Sequence, residues 1–346
     1  YLAPRAVFGQ WLHTYELTDG LVESVLAALH QNFADYRIFL INGGDMLVVA
    51  SADGPLRRPD WSVVRFPMVR QDLCRFLPMS DAALDRSLVI DRKGLAPLFA
   101  RETRANSDFY PVLDLGAERS RFLQQSAVGL ANLGNGVVDY LGDPSLRPTG
   151  FDTATASVLT PVPGVKAMLL AARVRRAGAD SAWTDAPGSS ERYLYASWAR
   201  QSASGLSPAN WRGWTADFWS IRKARLGGAA PFDTAFFALA GGYADQAGAP
   251  APVRAAVALG EALARRDLAA GVTSVNLLVQ EARFGRFWIP VDDLLDASVR
   301  AELAAGRPQR ARAAYDLLRP YSTRGEGDIR LALLSAYIDG AADPAP

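Results

Sequence analysis

The chain has 346 residues, of which 49% are hydrophobic and 21% are charged. This length is typical of about two domains, and this composition excludes a chain that is disordered throughout. Basic residues number 37 and acidic residues 36, a net charge of +1, so the overall charge does not favour nucleic acid as a partner. The one cysteine, Cys74, excludes an internal disulfide and a cysteine-cluster metal site, and it fits a reducing compartment such as the cytoplasm. No apolar run is long enough to predict a membrane-spanning helix.

The opening residues predict a strand with no partner strand ahead of it. Residues 6–12 have the length and apolar composition of a strand. Residues 1–5 resemble the exit from a preceding helix, with Pro4 as the stop signal. We therefore expect the chain to begin partway through an α/β domain whose earlier strands precede Tyr1. The alternative is a genuine start produced by proteolytic trimming.

The next residues predict a helix followed by a β-hairpin. Thr18 and Asp19 are typical N-cap residues, because their side-chain oxygens accept hydrogen bonds from the unpaired amides of a first helical turn. Strands are predicted at residues 36–41 and 46–50, and the turn between them, residues 42–45, is short enough to make the two strands antiparallel. The apolar residues after the cap recur at helical spacing and form one face: Leu21, Val22, Val25, Leu26, Leu29 and Phe33.

These elements carry a family resemblance. Residues 7–17, Val-Phe-Gly-Gln-Trp-Leu-His-Thr-Tyr-Glu-Leu, with the helix and the hairpin that closes on residues 47–51, resemble the last part of a spermidine synthase catalytic domain. The similarity is closer to the bacterial spermidine-synthase-like proteins, many of which carry a transporter-like membrane region ahead of that domain. Residues 106–114, Asn-Ser-Asp-Phe-Tyr-Pro-Val-Leu-Asp, resemble a segment further along in the same group. The resemblance covers residues 1–120 and leaves the rest of the chain unassigned.

The resemblance implies the C-terminal part of a class I methyltransferase-like (Rossmann-like) sheet that ends in an antiparallel hairpin. It implies a transferase that moves an aminopropyl group from decarboxylated S-adenosylmethionine to an amine, with a catalytic aspartate that accepts a proton from the attacking amine. The family places that aspartate and the glycine-rich nucleoside loop before the matched portion. We therefore expect no catalytic residue here, no cofactor bound by this portion, and no activity of this portion alone.

The resemblance implies a substrate-binding role for one residue of this chain. Gln10 matches a family glutamine that faces the polyamine groove, and its amide oxygen could accept a hydrogen bond from an ammonium group. The alternative is that Gln10 pairs with neighbouring backbone at the end of the strand. Trp11 and His13 flank it and are expected to serve in packing. No metal site is predicted, since a lone histidine without a second ligand at suitable spacing is poor evidence for one.

The hairpin departs from the family pattern. Typical spermidine synthases place a Pro-Thr-Tyr-Pro segment between its strands, where the tyrosine lines the substrate groove, whereas residues 42–45 here are Asn-Gly-Gly-Asp. The resemblance therefore indicates the family, but it does not indicate which amine accepts the aminopropyl group. The expected small-molecule partner is a polyamine, and a homodimer is allowed. The expected location of this portion is the cytoplasm, and anchoring of the full-length protein through an upstream membrane region is left open.

The middle of the chain carries few signals. Ser80 and Asp81 predict a helix start, and residues 112–115 predict one further strand. The glycine-containing segment 129–136 follows a helix-like stretch and is interpreted as a loop, not as a nucleoside-binding motif. Residues 143–190 are rich in Pro, Gly, Ser and Thr and are typical of a connection between domains, with one helix at residues 165–174.

From residue 191 onward the pattern is helical. A dense group of aromatic residues is expected to form a core and not a ligand groove: Trp198, Trp211, Trp214, Phe218 and Trp219. The last hundred residues resemble a tetratricopeptide repeat, in which small residues let paired helices approach closely. The spacing is carried by Gly306, Ala311, Tyr315 and Leu318, and more loosely by Gly248, Val253, Ala256 and Leu259. A helix is predicted at residues 292–304, residues 328–338 could open a further unit, and an irregular helical bundle is the alternative.

The predicted organisation is a synthase-like portion at residues 1–120, an irregular linker at 121–190 and an all-α, repeat-like region at 191–346. Two functions stay open. The first is the C-terminal part of a spermidine-synthase-like transferase with a helical appendage. The second is a helical module that binds a protein partner and is attached to a degenerate, non-catalytic synthase-like domain.

Overall fold

The computed structural model describes most of the chain outside its middle. The described residues are 2–42, 45–57, 59–73, 88–100, 103–127, 210–226, 234–265, 267–325 and 327–342, with the single positions 129, 198, 201 and 202. The chain divides into two compact units. Unit 1 comprises Tyr1–Val162 and Arg324–Pro346, and unit 2 comprises Pro163–Thr323.

Unit 1 contains a sheet of four strands in the order β1-β3-β2-β4, in which every neighbouring pair is antiparallel. The strands are β1 (Val7–His13), β2 (Asp35–Asn42), β3 (Asp45–Ser51) and β4 (Leu88–Asp91). Since β1 and β2 both pair with β3 in the antiparallel sense, they run in the same direction, and helix α1 (Asp19–Asn32) joins them. The predicted order of strand, helix, strand, hairpin and strand is confirmed, and β4 was not predicted.

The described helices account for most of the remaining structure. They are, in chain order, α1 (Asp19–Asn32), α2 (Pro67–Leu73), α3 (Arg92–Phe99), α4 (Val112–Phe122), α5 (Trp211–Leu226), α6 (Thr234–Gln246), α7 (Ala251–Arg265), α8 (Leu268–Arg283), α9 (Val291–Ala304), α10 (Pro308–Leu318) and α11 (Ile329–Ala342). A mixed α/β fold with a predominance of helix is therefore confirmed. The class I methyltransferase-like arrangement of the sheet stays a prediction.

The start of α1 follows the predicted capping chemistry. The Thr18 hydroxyl accepts a hydrogen bond from the Leu21 amide at 3.3 Å, which gives one amide of the first turn a partner. The helix ends at Asn32, and Phe33 has extended backbone. The Phe33 ring stacks on Phe8 of β1 with 5.2 Å between ring centroids. Local capping and one aromatic contact therefore tie α1 to the strand before it.

The two faces of the sheet differ in burial. Because side chains alternate along a strand, the register places Phe8, Gln10 and Leu12 on one face with the buried side chains of β2 and β3. Those buried side chains are Tyr36, Ile38, Met46, Val48 and Ala50, and we call this side the buried face. On the opposite side, the Arg37 guanidinium donates to the carbonyl oxygens of Leu56 and Arg57 at 2.9 Å. Residues 56–57 therefore cover β2 there, while the half formed by β1 lies exposed, and we call this side the open face.

Residues 112–115 form the first turn of α4, so the predicted strand is wrong. The Asn106 side-chain oxygen accepts a hydrogen bond from the Leu113 amide at 2.9 Å, which satisfies a first-turn donor. Pro111 precedes the helix, and its fixed φ suits a helix entry. Gly116 lies so close to Leu21 of α1 that an added Cβ would lie 2.4 Å from its Cδ2. Close packing against α1 thus overrides the strand propensity of a short apolar run.

Helix α11 packs within unit 1. Its buried residues are mostly apolar and lie on more than one side, with Arg330 among them, and it contacts α3 and α1. The Tyr337 hydroxyl donates to the Gly94 carbonyl at 2.7 Å, and the Ile329 amide donates to the Asp19 carboxylate at 3.3 Å. The helix was predicted as the start of a further repeat, and its observed neighbours are the helices that flank the sheet.

Unit 2 consists, in its described part, of helices that pack on their neighbours in sequence. Contacts join α6 to α7, α7 to α8, α8 to α9 and α9 to α10. Gly248 and Gly306 follow α6 and α9 with φ of 67° and 69°, the left-handed conformation that ends a helix at low cost. The predicted small and aliphatic positions Val253, Ala256 and Leu318 are buried. The helical character is confirmed, and assignment to a repeat family stays a prediction.

The aromatic residues of unit 2 form a core, as predicted. Trp198, Trp214, Phe218 and Trp219 are almost fully buried, and Trp211 is half-buried. The Phe218 ring stacks on Phe236 at 5.3 Å between centroids. Two of the buried indole nitrogens have acceptors: Trp214 Nε1 donates to Ser202 Oγ at 3.2 Å and Trp219 Nε1 donates to Asp293 Oδ2 at 2.7 Å.

Several predictions fall on residues outside the described part. These are the helix start at Ser80 and Asp81, the loop beyond position 129, the connection at 143–190 and its helix at 165–174. The boundary at residue 190 stays a prediction for the same reason, and the boundary at residue 120, which falls within α4, stays a prediction as well. The hairpin turn is described only at its ends, where Asn42 pairs with Asp45.

Candidate functional site at the end of strand β1

Gln10 lies on the buried face of the sheet, opposite Val48 of β3. It is half-buried, and its Nε2 atom donates a hydrogen bond to the carbonyl oxygen of Trp11 at 2.7 Å. This contact to neighbouring backbone is the alternative considered from the sequence. The bond uses the amide nitrogen, and the substrate role of the amide oxygen stays a prediction.

Trp11 lies on the opposite side from Gln10 and is not a packing residue. Its side chain is 52% exposed and is directed to the open face with Gly9, His13 and the paired residue Leu47. The expectation that Trp11 serves in packing is therefore wrong. The physical reason is the two-residue period of a strand, since a change of one position exchanges the buried face for the open one.

An aromatic pair follows Trp11 along the same side of the chain. The His13 ring stacks on Tyr15 with 4.5 Å between centroids, and Tyr15 is 50% exposed. Asp45, the first residue of β3, lies directly opposite His13 in the register. The end of β1 therefore combines exposed aromatic surface with a carboxylate.

The loop after β1 is held in a defined conformation. The Thr14 carbonyl accepts a hydrogen bond from the Ala127 amide at 2.7 Å, and Tyr15 forms an isolated antiparallel bridge with Ser126. Glu16 has a φ of 59°, a left-handed conformation that costs a residue other than glycine about 1 kcal/mol. Contacts of the two residues before Glu16 therefore hold the loop that carries its strained backbone.

A second carboxylate lies in this loop. One oxygen of Glu16 is 3.7 Å from the Arg121 Nε atom of α4, and both side chains are largely exposed, so the pair contributes little to stability. We call Trp11, His13, Tyr15, Glu16 and Asp45 the β1-end cluster. Aromatic faces attract cations through the ring quadrupole, and the Asp45 carboxylate adds direct charge attraction, whereas the charge of Glu16 is partly offset by Arg121. The β1-end cluster thus has the chemistry to hold a small ammonium compound.

A polar group at the opposite end of β2 was not predicted. Tyr36 is fully buried, and its hydroxyl lies 3.1 Å from His30 Nδ1. Arg92 donates to the carbonyl oxygens of Phe33 and His30 at 3.1 and 3.3 Å. Burial, with Arg92 nearby, lowers the pKa of His30, and burial raises the pKa of Tyr36 well above its ordinary value. These contacts join the end of α1 to the start of α3, and we assign them a structural role.

Two further features are absent from the described residues, a metal-binding group and a membrane-spanning helix. No group of three or more His, Cys, Asp or Glu side chains in this part of the chain is arranged to hold a metal ion. Among the helices whose bounds are given above, none combines the length and the apolar composition needed to cross a bilayer.

Comparison of the chain with protein-family models, with curated proteins and with solved structures gives no match. The resemblance to spermidine-synthase-like proteins therefore rests on the sequence segments quoted above. Family, substrate and partners accordingly stay predictions.

Proposed function

We propose that unit 1 forms the amine-binding side of a spermidine-synthase-like transferase. In this proposal the full protein moves an aminopropyl group from decarboxylated S-adenosylmethionine to an amine. The observation that carries the proposal is the β1-end cluster, which combines Trp11 and Tyr15 with the carboxylates of Glu16 and Asp45. The cluster lies at the carboxyl end of β1, where Asp45 of β3 is paired with His13.

The strand directions add support. β1 and β2 run in the same direction with α1 between them in sequence, which is a β-α-β unit with β3 inserted between its strands. A sheet that ends in an antiparallel hairpin is what the resemblance implies. The nucleoside loop and the catalytic aspartate are expected before the matched portion, so we derive no chemical step from the residues present. Their role in the proposal is to bind the acceptor and to orient its amine on the open face, so the predicted substrate role of Gln10, which lies on the buried face, is not part of it.

Amine binding can be tested on the chain as it stands. Putrescine and spermidine are titrated by calorimetry into the native chain and into Trp11→Ala and Glu16→Gln. We expect each substitution to weaken binding about two- to five-fold, the range of an exposed cation–π contact or surface ion pair. The matched controls are Phe66→Ala and Asp108→Asn, which alter an exposed aromatic ring and an exposed acidic group elsewhere. Equal affinity in all five proteins would remove the cluster from the proposal.

The second candidate function is a protein-interaction module on a non-catalytic synthase-like domain. Its support is the sequential packing of α6 to α10 in unit 2, since stacked helix pairs commonly present partner surfaces. The intact mass and N-terminal sequence of the protein from its native source discriminate the two. A longer chain with a glycine-rich loop and catalytic aspartate before Tyr1 would support the enzyme and justify an aminopropyl-transfer assay. A mature chain that starts at Tyr1 would leave the interaction module.

A further inference from the structure

The outward side of α4 carries two large apolar side chains. Leu115 is 78% exposed and Phe122 is 87% exposed. They are seven residues apart, which is about two turns of an α-helix, so both lie on the same side of α4. The opposite side packs on α1 through Gly116 and contains the buried Ser120. We call the row from Leu115 to Phe122 the outer stripe of α4.

Charged residues beside the outer stripe follow the same spacing. Asp114 directly precedes Leu115, and Arg121 directly precedes Phe122. Both charged side chains are exposed, and their spacing places them on one flank of the stripe. The acidic group lies in the first turn of α4 and the basic group in the last turn, where each also complements the helix dipole. The sign of the charge therefore reverses along the flank, whereas the apolar character of the stripe repeats.

A second copy of the chain, laid antiparallel on the outer stripe, matches both rows at once. A two-fold axis near Glu118 brings the N-terminal end of one α4 beside the C-terminal end of the other. Leu115 then faces Phe122 of the other copy. On the flank, Asp114 faces Arg121 of the other copy, and the symmetry makes each contact occur twice. Parallel alignment in the same register would place like charges beside each other, which is destabilising. The charge order thus selects antiparallel pairing.

The charges of the outer stripe balance, so two copies do not repel each other. Its exposed charged residues are two acidic and two basic ones: Asp114, Glu118, Arg119 and Arg121. The Arg121 Nε atom also lies 3.7 Å from a carboxylate oxygen of Glu16 in the same chain. The Arg121 side chain is 76% exposed and its guanidinium has further N–H donors, so it can bind a second carboxylate without leaving the first.

We propose that the outer stripe of α4 is an interface through which two copies of the chain pair antiparallel. The occupant is a second copy because the chain itself supplies the complementary order of charges and of apolar side chains. A contact between two short helices lies at the low end of interface sizes, below about 1,200 Å² in total. We therefore expect a reversible dimer and not an obligate one. The proposal does not depend on the transferase function.

The first test is sedimentation equilibrium of the whole chain over a series of concentrations. We expect a monomer–dimer equilibrium that Leu115→Ala and Phe122→Ala each weaken about ten-fold or more, because each change removes an apolar side chain from both copies. The matched control is Phe284→Ala, which removes a phenylalanine that is 73% exposed in unit 2 and should leave the equilibrium unchanged. A monomer at every concentration, or equal weakening by the control, overturns the proposal.

The second test reverses the flank charges. Asp114→Arg and Arg121→Asp should each weaken self-association about five-fold, since each replaces two surface ion pairs by two pairs of like charge. An equimolar mixture of the two variants should recover the association, because every flank pair again joins an acidic and a basic group. Asp245→Arg, at an exposed position of unit 2, is the control and should change nothing. Circular dichroism checks that each variant stays folded.

Recovery on mixing supports the antiparallel second copy as the occupant of the outer stripe. An association of the native chain that the single variants weaken and the mixture does not recover overturns it, because the flank charges then face something other than each other. If a charge-reversed variant fails to fold, the equilibria of Leu115→Ala and Phe122→Ala still decide the proposal, since both changes affect exposed side chains.

Discussion

The surroundings of Glu23 in α1 disfavour the charged form of its carboxyl group. Burial, together with the nearby Asp19 carboxylate, raises the pKa of Glu23. Asp19 stays in position because it accepts hydrogen bonds from the amides of Gly129 and Ile329. Two carboxyl groups one turn apart on a half-buried helix face therefore differ in their surroundings, and the charged form of Glu23 is the one that folding disfavours.

We expect Glu23→Gln to stabilise the protein at neutral pH. A raised pKa means that the native state holds the Glu23 proton more tightly than the unfolded state, so stability falls as pH rises from the ordinary carboxyl range through the native pKa. The gain from glutamine should be full above that window and vanish below about pH 4, where both states are protonated. Urea unfolding of the native chain and of Glu23→Gln, at neutral pH and below about pH 4, measures this difference in stability. A gain that persists in acid, or an equal gain from the exposed Glu118→Gln, would contradict the pKa explanation.

At β1 the sequence predicted the strand correctly but did not predict which side chains point to the buried face. The strand itself followed from its apolar composition, and its alternation fixed Gln10 and Trp11 on opposite faces. Which of those faces meets the helices depends on Phe33 stacking on Phe8 and on the register with Met46 and Val48. Those contacts are set by the whole unit, so the choice of face could not be predicted from one strand.

Turns between helices in unit 2 depend on glycine at the helix end. Gly306 adopts a φ of 69° between α9 and α10, and its amide donates to the Leu303 carbonyl at 2.9 Å. These features are typical of a helix ended by a left-handed residue. The same geometry at Gly248 precedes α7. The spacing predicted from the sequence thus corresponds to helix endings, whether or not the unit belongs to a repeat family.

Gly306→Ala should lower the free energy of unfolding of unit 2 by about 1–2 kcal/mol, the cost of a left-handed conformation with a Cβ atom. Nothing lies within 4 Å of an added Cβ at this position, so the cost is conformational and not steric. Gly306→Asn should cost less, because asparagine tolerates this conformation. Gly340→Ala in α11 also has open space and lacks a positive φ, and it should be neutral or stabilising. Equal effects at both glycines in urea unfolding would exclude the conformational explanation.

Elements were predictable where short-range chemistry decides them. Thr18 capping α1, the short hairpin between β2 and β3, and the helices around Gly306 all follow from neighbouring residues. Residues 112–115 were assigned wrongly because their partners, Asn106 and Leu21, are not adjacent in the sequence. β4 was missed because a strand of four residues carries too short a pattern. The aromatic core of unit 2 followed from its density of tryptophan.

At the scale of the whole molecule, the chain leaves unit 1 and returns to it. Residues 163–323 form unit 2, and Arg324–Pro346 belong again to unit 1. The return is made by α11, whose buried side chains include Ile329, Leu331, Leu334 and Ile338. The sequence pattern does not predict this return, because α11 has no single apolar face and its partner helices lie far back in the sequence.

Removal of residues 327–346 should destabilise the sheet of unit 1. Each buried leucine or isoleucine contributes about 2 kcal/mol, so the loss is comparable with the whole stability of a typical domain, about 5–15 kcal/mol. Hydrogen exchange should show lost protection in β2, β4 and α3, while the helices α7 to α10 keep theirs. Removal of residues 343–346 alone is the control and should change neither. Retained protection in the sheet after the longer deletion would show that α11 is dispensable.

The hydrogen bond from Tyr337 to Gly94 spans 243 positions in the chain. During synthesis from the N-terminus, the strands of unit 1 are made before unit 2, whereas α11 is made only after all of unit 2. Until then, α1 and α3 expose the apolar surface that α11 later covers. Contacts at such separation form slowly, and exposed apolar surface favours aggregation during the delay. The nascent chain is therefore vulnerable in unit 1, and that vulnerability ends only when α11 has left the ribosome.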